Sequence, residues 1–129
     1  SRGLGDVYKR QTNDIVIMVR NYARLIAGMG EPHNAVEAMK KCAILVKSEN
    51  TDKCTDYADL IFDIAAISLQ VGNTDAAKLY FIKAFDIYRE ILPQADLTEK
   101  AELAAEYLKR VGITNYNFLM LSQNTELPV

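Results

Sequence analysis

The sequence predicts an all-α fold in which antiparallel helical hairpins repeat along the chain. Gly30 and Gly72 stand 42 residues apart, and on that spacing like residues coincide: Asp14 with Asp56, Ala23 with Ala65, Ala35 with Ala77, and Lys41 with Lys83. A weaker third copy follows at an offset of 40, in Asp96, Ala105 and Gly112. Apolar residues on both sides of Gly30 and Gly72 recur at steps of three and four, as they do along one face of a helix. Repetition at this period is typical of stacked helical units, and we expect about three of them.

The first unit is predicted to be a pair of helices joined at Gly30. Its first helix begins near Asp14, with an apolar stripe of Ile15, Met18, Val19, Tyr22, Ala23, Ile26 and Met29. Gly30 ends this helix, because glycine readily adopts the left-handed conformation that closes helices. Pro32 suits the first turn of the second helix, which we expect to reach about Ser48. The second helix carries its own stripe of Ala35, Ala38, Met39, Cys42, Leu45 and Val46.

The second unit repeats this plan. One helix carries Tyr57, Leu60, Ile61, Ile64, Ala65 and Val71, and the next carries Ala77, Tyr80, Phe81, Ala84, Ile87 and Tyr88. Gly72 and Asn73 form the turn between them. Pro93 stops the second helix, because the residue before a proline is pushed out of the helical region.

The third unit is predicted to open with a capping box formed by Asp96 and Glu99. Its first helix ends at Gly112, and a shorter helix follows from about Asn115 to Ser122. We therefore expect one repeat domain over residues 12–129, with units at about 14–49, 56–92 and 96–123.

Residues 1–11, SRGLGDVYKRQ, resemble the translated sequencing-adapter tails found at broken ends of reading frames assembled from environmental DNA. On that interpretation the chain is a metagenomic fragment and its first eleven residues are a non-native tail. The alternative is a short genuine leader, for which two glycines and mixed charges predict a frayed segment. We exclude the segment from the expected fold in either case.

The composition excludes several classes of protein. Half of the 129 residues are hydrophobic, and six glycines and three prolines are too few for a disordered or fibrous chain. The formal charge of -2 combines +2 in residues 1–11 with -4 in residues 12–129, so bulk charge attracts no nucleic acid. Two cysteines cannot form a disulfide scaffold and favour a reducing compartment. The longest apolar stretch, residues 60–71, is too short and too polar to span a membrane. We expect a soluble, cytoplasmic protein.

The residues needed for catalysis or metal binding do not cluster in the sequence. His33 is the single histidine, and its place beside Pro32 at a helix start indicates an exposed turn residue. One histidine and two cysteines, scattered along the chain, do not form a metal-binding pattern, and the glycines stand singly at helix ends rather than in a phosphate loop. The acidic pairs Asp59–Asp63 and Glu102–Glu106 are typical of a solvated helix face. We expect no enzyme activity, no cofactor and no metal.

The order of small and large residues resembles the tetratricopeptide repeat. Ala65, Gly72, Ala77, Phe81 and Ala84 follow at steps of seven, five, four and three, and the same steps link Ala23, Gly30, Ala35, Met39 and Cys42. The period of 42 exceeds the 34 residues typical of that repeat and resembles the kinesin-light-chain type. The resemblance covers residues 14–112 and weakens afterwards. It implies a right-handed α-solenoid.

Members of this family are protein- and peptide-binding scaffolds in which the first helix of each unit lines a concave groove. The resemblance therefore implies a groove whose charge runs from basic to acidic, with one aromatic anchor in the middle. Its predicted lining residues are Arg20, Arg24, Asp59, Phe62, Asp63, Glu99, Glu102 and Glu106. Two of the residues at the positions of the co-chaperone carboxylate clamp have the wrong sign, so that specialised function is not expected.

The expected partner is a protein or peptide segment, with no nucleic acid and no membrane. An alternative is that the chain regulates, or recruits substrates to, a larger enzyme or signalling protein whose catalytic domain lies outside it. A helical repeat that reads RNA is disfavoured by the charge of -4 over residues 12–129. The first helix pair has no preceding unit, so we also expect weak self-association through exposed end helices.

Overall fold

A computed structural model of the protein describes residues 2–48 and 54–114, with side chains from residue 10 onward. Within these ranges the chain is all-helical and contains five helices and no strand. The helices are α1 (Arg2–Gly28), α2 (Pro32–Ser48), α3 (Thr55–Gln70), α4 (Thr74–Ile91) and α5 (Gln94–Lys109). The short helix predicted over residues 115–122 lies outside the described residues.

The helices pack in the order of the chain. α1 packs most extensively on α2, and α3 on α4, so each pair forms a helical hairpin. α2 also packs against α3, and α1 lies alongside α3. α5 contacts α3 and α4. Among the described residues, close backbone contacts therefore join only helices that are neighbours or next-but-one neighbours in sequence.

Each of the three glycines predicted to end a helix does so by the same turn. Gly30, Gly72 and Gly112 have φ values of 92°, 83° and 87°, in the left-handed region that favours glycine. The amide that follows each glycine donates back to a carbonyl in the last helical turn, from Glu31 to Ile26, Asn73 to Ser68 and Ile113 to Leu108. This is the Schellman closure. The glycine spacing in the sequence therefore marks real helix ends.

The start of α5 differs from the prediction. The end of α4 before Pro93 is confirmed, since Leu92 is extended, with φ -101° and ψ 144°. The capping box of Asp96 and Glu99 is wrong: α5 begins at Gln94, with Pro93 as its N-cap and no side-chain capping bond. Asp96 instead lies within the first turn, where its negative charge interacts favourably with the positive end of the helix dipole. Pro93 holds φ at -61° and ψ at 157°, so the helix begins directly after it.

The beginning of α1 also differs from the prediction. The helix starts at Arg2 rather than near Asp14, so the backbone of residues 2–11 is helical and not frayed. Extending an existing helix fixes one residue per hydrogen bond, and two glycines weaken the helix without stopping it. Thr12 is buried. The origin of residues 1–11 in a sequencing adapter stays a prediction.

The small residues that recur in the sequence repeat are buried where the helices cross. Ala23, Ala35, Ala65, Ala77 and Ala84 are fully buried, as are the large residues Met39 and Phe81 that share their stripes. Small side chains let paired helices approach, and the large ones fill the adjoining space. α3, which lies between α2 and α4, has buried residues on almost every side.

The predicted stripe of α1 is partly wrong. Met18, Tyr22 and Met29 are 63%, 54% and 68% exposed, whereas Val16, which is outside the predicted stripe, is 1% exposed. The reason is that α1 contacts α2 and α3 only, so one flank of its apolar surface has no neighbour among the described residues.

We predict that Ala77→Leu destabilises the protein by about 1–3 kcal/mol, because it overpacks the crossing of α3 and α4. Ala95→Leu is the control, since Ala95 is an exposed alanine on α5. Chemical denaturation of both variants measures the difference. A neutral Ala77→Leu would contradict the close helix crossing.

Candidate functional site

Charged side chains from three helices meet on one surface, which we call the inner face. It lies along α1, α3 and α5, where α3 packs against the other two. The Nε of Arg20 on α1 donates to Oδ2 of Asp63 on α3 at 2.7 Å, and Arg24 reaches the same oxygen at 3.3 Å. These contacts hold α1 against α3.

Asp59 is the second centre of this network. Its carboxylate accepts hydrogen bonds from the hydroxyl of Tyr88 on α4 and, at 3.1 Å, from Nζ of Lys100 on α5. Arg20 lies 3.7 Å from its other oxygen. Asp59 therefore links four of the helices through side chains that are mostly withdrawn from solvent.

Burial and the neighbouring charge of Asp59 raise the pKa of Tyr88 well above its ordinary value. Tyr88 consequently stays protonated and donates its hydrogen bond throughout the neutral range. Lys100 lies 5.4 Å from the centre of the Tyr88 ring, which adds a cation–π contact to the same cluster. The network positions α5 against α3 and α4.

Four of the predicted groove residues, Arg20, Arg24, Asp59 and Asp63, are thus brought together. They pair with one another, a feature that the sequence did not reveal. Arg20, Asp59 and Asp63 are only 17%, 15% and 16% exposed in their side chains, whereas Arg24 is 55% exposed. Arg24 is therefore the member of this set that is best placed to meet a partner.

Phe62 is not the exposed anchor that was expected. It is 4% exposed, and its ring lies 5.1 Å from that of Phe81 and 6.1 Å from that of Tyr107. Both contacts have the edge-to-face geometry that aromatic pairs prefer. An aromatic residue on a helix with charged neighbours appeared unusual in the sequence, but α4 and α5 cover it. Phe62 belongs to the core.

The glutamates of α5 are not part of the ion-pair network of Arg20, Asp59, Asp63 and Lys100. Helical periodicity places Glu99, Glu102 and Glu106 opposite the buried residues Leu97, Ala104 and Leu108. All three glutamates are exposed, and Glu102 and Glu106 line a separate cavity of about 430 Å³. Lys100 and Tyr107 on α5, and Arg110 directly after it, lie on the inner face. The basic-to-acidic gradient stays a prediction.

The inner face contains an open cleft of about 460 Å³ between the C-terminal ends of α1, α3 and α5. We call it the inner cleft. It is lined by Arg24, Ala27, Gly28, Asp63, Ala66, Ile67, Leu69, Gln70, Tyr107, Arg110 and Val111. The guanidinium of Arg110 lies 5.1 Å from the centre of the Tyr107 ring.

The repeat could have indicated three of these residues. Gly28, Gln70 and Arg110 occupy the same place in successive units, two residues before Gly30, Gly72 and Gly112. Gly28 and Gln70 are the last residues of α1 and α3, and Arg110 directly follows α5. All three line the inner cleft, but the predicted lining did not include them.

A second exposed feature lies on α1, away from the inner cleft. Met18, Tyr22, Leu25 and Met29 follow at steps of four, three and four and are 54–68% exposed. We call them the α1 row. On the spacing of 42 they correspond to Leu60, Ile64, Ile67 and Val71 on α3, of which the first three are buried. The α1 row therefore resembles a surface that packs between helices, but no helix of the described residues packs against it.

Other kinds of site find little support in the described part of the chain. Within residues 2–48 and 54–114 no group of His, Cys, Asp and Glu is arranged to hold a metal ion. Cys42 is buried and Cys54 half-buried, and neither is in a disulfide. Burial raises the pKa of the Cys42 thiol, which lowers its reactivity. His33 is exposed. The helices described are all too short or too polar to cross a membrane.

We predict that Phe62→Ala lowers the free energy of unfolding by about 3–5 kcal/mol, because it empties an aromatic site in the core. Met29→Ala is the control, since Met29 is 68% exposed, and its effect should stay within about 0.5 kcal/mol. Urea denaturation measures both. Equal stability of the two variants would contradict the burial of Phe62 in the core.

Comparison of the chain with protein-family models, with curated proteins and with solved structures finds no match.

Proposed function

We propose that the chain is a non-catalytic scaffold of the tetratricopeptide type, which binds a segment of a partner protein in the inner cleft. The observation that carries the proposal is the inner cleft itself, an open concavity formed by three first helices of successive units.

The tetratricopeptide interpretation is supported by agreement between sequence and packing. The small residues of the motif are buried where helices pair, and the glycines close the helices in the same way in each unit. The contacts between α1 and α3 and between α3 and α5 suit a right-handed α-solenoid whose first helices line a concave surface. In such a solenoid the inner face is the concave one.

The inner cleft has the mixed character of a peptide-binding surface. Its apolar part comes from Ala27, Ala66 and Ile67, and its polar part from Arg24, Gln70 and Arg110. Apolar contacts supply much of the affinity in such sites, while a few polar groups fix the orientation of the bound chain. Cys42 and Cys54 are not in disulfides, which suits a scaffold in a reducing compartment such as the cytoplasm.

We predict that selection from a random peptide library yields peptides that bind the inner cleft. Their binding should shift amide signals of α1, α3 and α5 in two-dimensional NMR spectra. Ala66→Tyr should lower the affinity of these peptides at least about tenfold. Ala66 is half-buried in the wall of the inner cleft, and a tyrosine ring there would fill the space that the peptide occupies.

Ala95→Tyr is the matched control, because it adds the same side chain to an exposed position of α5 outside the inner cleft. Circular dichroism checks that both variants keep their helices. Peptides whose signals map to α2 and α4, or a library without enriched peptides, would contradict a binding function of the cleft.

We propose a second role for the α1 row, which is weak self-association. Exposed apolar residues at these steps match the seam along which two helices pack, and two copies could bury their rows against each other. The corresponding row on α3 is buried within the chain, which supports the suitability of this surface for packing.

Replacing both Met18 and Leu25 by lysine should abolish concentration-dependent association in analytical ultracentrifugation, because charges then oppose burial of the row. Ile44→Lys is the control, since Ile44 is 55% exposed on α2 and lies outside the α1 row. Unchanged association of the double variant would exclude the row as the interface.

A further inference from the structure

The methionines of the chain differ sharply in their exposure. The sequence contains four, of which Met120 lies outside the described residues. Met39 on α2 is fully buried, whereas Met18 and Met29 of the α1 row are 63% and 68% exposed. The reaction of a methionine with an oxidant in solution requires access to its sulfur atom. Such an oxidant therefore reaches Met18 and Met29 but not Met39.

The two exposed methionines stand at the two ends of the α1 row. Met29 directly follows the last residue of α1, and its amide donates to the carbonyl of Leu25 at 3.1 Å, so it continues the helical pattern. On the spacing of 42, the two methionines correspond to Leu60 and Val71 on α3. The row on α1 therefore carries thioethers at two exposed positions whose counterparts on α3 are aliphatic.

The α1 row is suited to the pairing of two copies in opposite directions. Met18, Tyr22, Leu25 and Met29 follow at steps of four, three and four, so the spacing is the same from either end. A two-fold interface pairs residue i with residue j and residue j with residue i. In an antiparallel pair, Met18 of one protomer meets Met29 of the partner subunit, and the central Tyr22 meets Leu25. Each end of the interface then consists of two thioethers.

Oxidation changes a thioether from an apolar group to a polar one. A lone pair on the sulfur attacks one oxygen of hydrogen peroxide, the O–O bond breaks, and an S–O bond forms. The other oxygen takes up a proton and leaves as water, so the sulfur loses the two electrons that the peroxide gains. The sulfoxide accepts hydrogen bonds from water, and burying it without such a bond is unfavourable.

We propose that Met18 and Met29 form a redox-sensitive switch, in which peroxide converts both to sulfoxides and separates two copies that associate through the α1 row. This inference rests on the second role proposed above, since it states how that self-association is regulated. The fold is spared, because both residues are exposed and the buried Met39 escapes oxidation. Enzymatic reduction of the sulfoxides restores the row.

The test treats the full chain with hydrogen peroxide at low protein concentration, where monomers predominate. Peptide mass spectrometry should show sulfoxides at Met18 and Met29 and an unmodified Met39. In analytical ultracentrifugation of the concentrated product, the dissociation constant of the pair should rise at least about tenfold. The circular dichroism spectrum and the midpoint of urea denaturation should stay unchanged.

Methionine sulfoxide reductases specific for each of the two sulfoxide epimers should restore the association. The reductant alone, without these enzymes, should not restore it, which excludes a disulfide as the cause of the change.

The double variant Met18→Leu, Met29→Leu keeps an apolar row without thioethers, so its association should persist after peroxide treatment. Met120→Leu is the matched control, because it removes a thioether that does not belong to the α1 row. It should leave the response to peroxide unchanged.

Three results would overturn the switch but keep the self-association: unchanged association after both sulfoxides have formed, loss of association in the oxidised double leucine variant, or oxidation of Met39 as fast as that of Met18 and Met29. A chain that shows no association before oxidation would remove the self-association and the switch with it. Resistance of Met18 and Met29 to peroxide in the monomer would show that another part of the chain covers the α1 row, which would overturn both.

Discussion

The fold depends on the close crossing of helices within each hairpin, which small side chains allow. Ala23 and Ala35 in the first hairpin, and Ala65, Ala77 and Ala84 in the second, are all fully buried. Larger residues at these positions would hold the helices apart. Met39 and Phe81 would then lose their close packing against the neighbouring helix. With the hairpins packed in this way, α3 contacts both α1 and α5. The inner face lies along these three helices.

The inner face is organised by charge pairs between helices. Arg20 with Asp63, and Lys100 with Asp59, connect helices that are far apart in sequence. These charges are largely withdrawn from water, so each needs its partner to offset the loss of solvation. Once the carboxylates are engaged, Arg24 and Arg110 determine the electrostatic character of the inner cleft. The network thus leaves Arg24 and Arg110 as exposed positive residues that line the inner cleft.

The α1 row differs in burial from the corresponding residues of α3. Leu60, Ile64 and Ile67 on α3 are buried, whereas the same type of surface on α1 is exposed. α3 packs against α1, α2, α4 and α5, whereas among the described residues α1 packs against α2 and α3 alone. The number of neighbouring helices therefore decides which apolar surfaces are covered.

Local physical chemistry let the sequence determine the helices and their ends. Gly30, Gly72 and Gly112 need a left-handed conformation and Pro93 cannot continue a helix, so these boundaries could be predicted, as could the burial of Ala77 and Ala84. The sequence also placed Arg20, Arg24, Asp59 and Asp63 on one surface, because all four lie outside the apolar stripes of their helices. Only the tertiary structure decided that these residues pair with one another, that Phe62 is covered by α4 and α5, and that Lys100 on α5 reaches Asp59. Periodicity gives the spacing of residues around one helix, but which side of that helix meets solvent is set by the neighbours that pack against it.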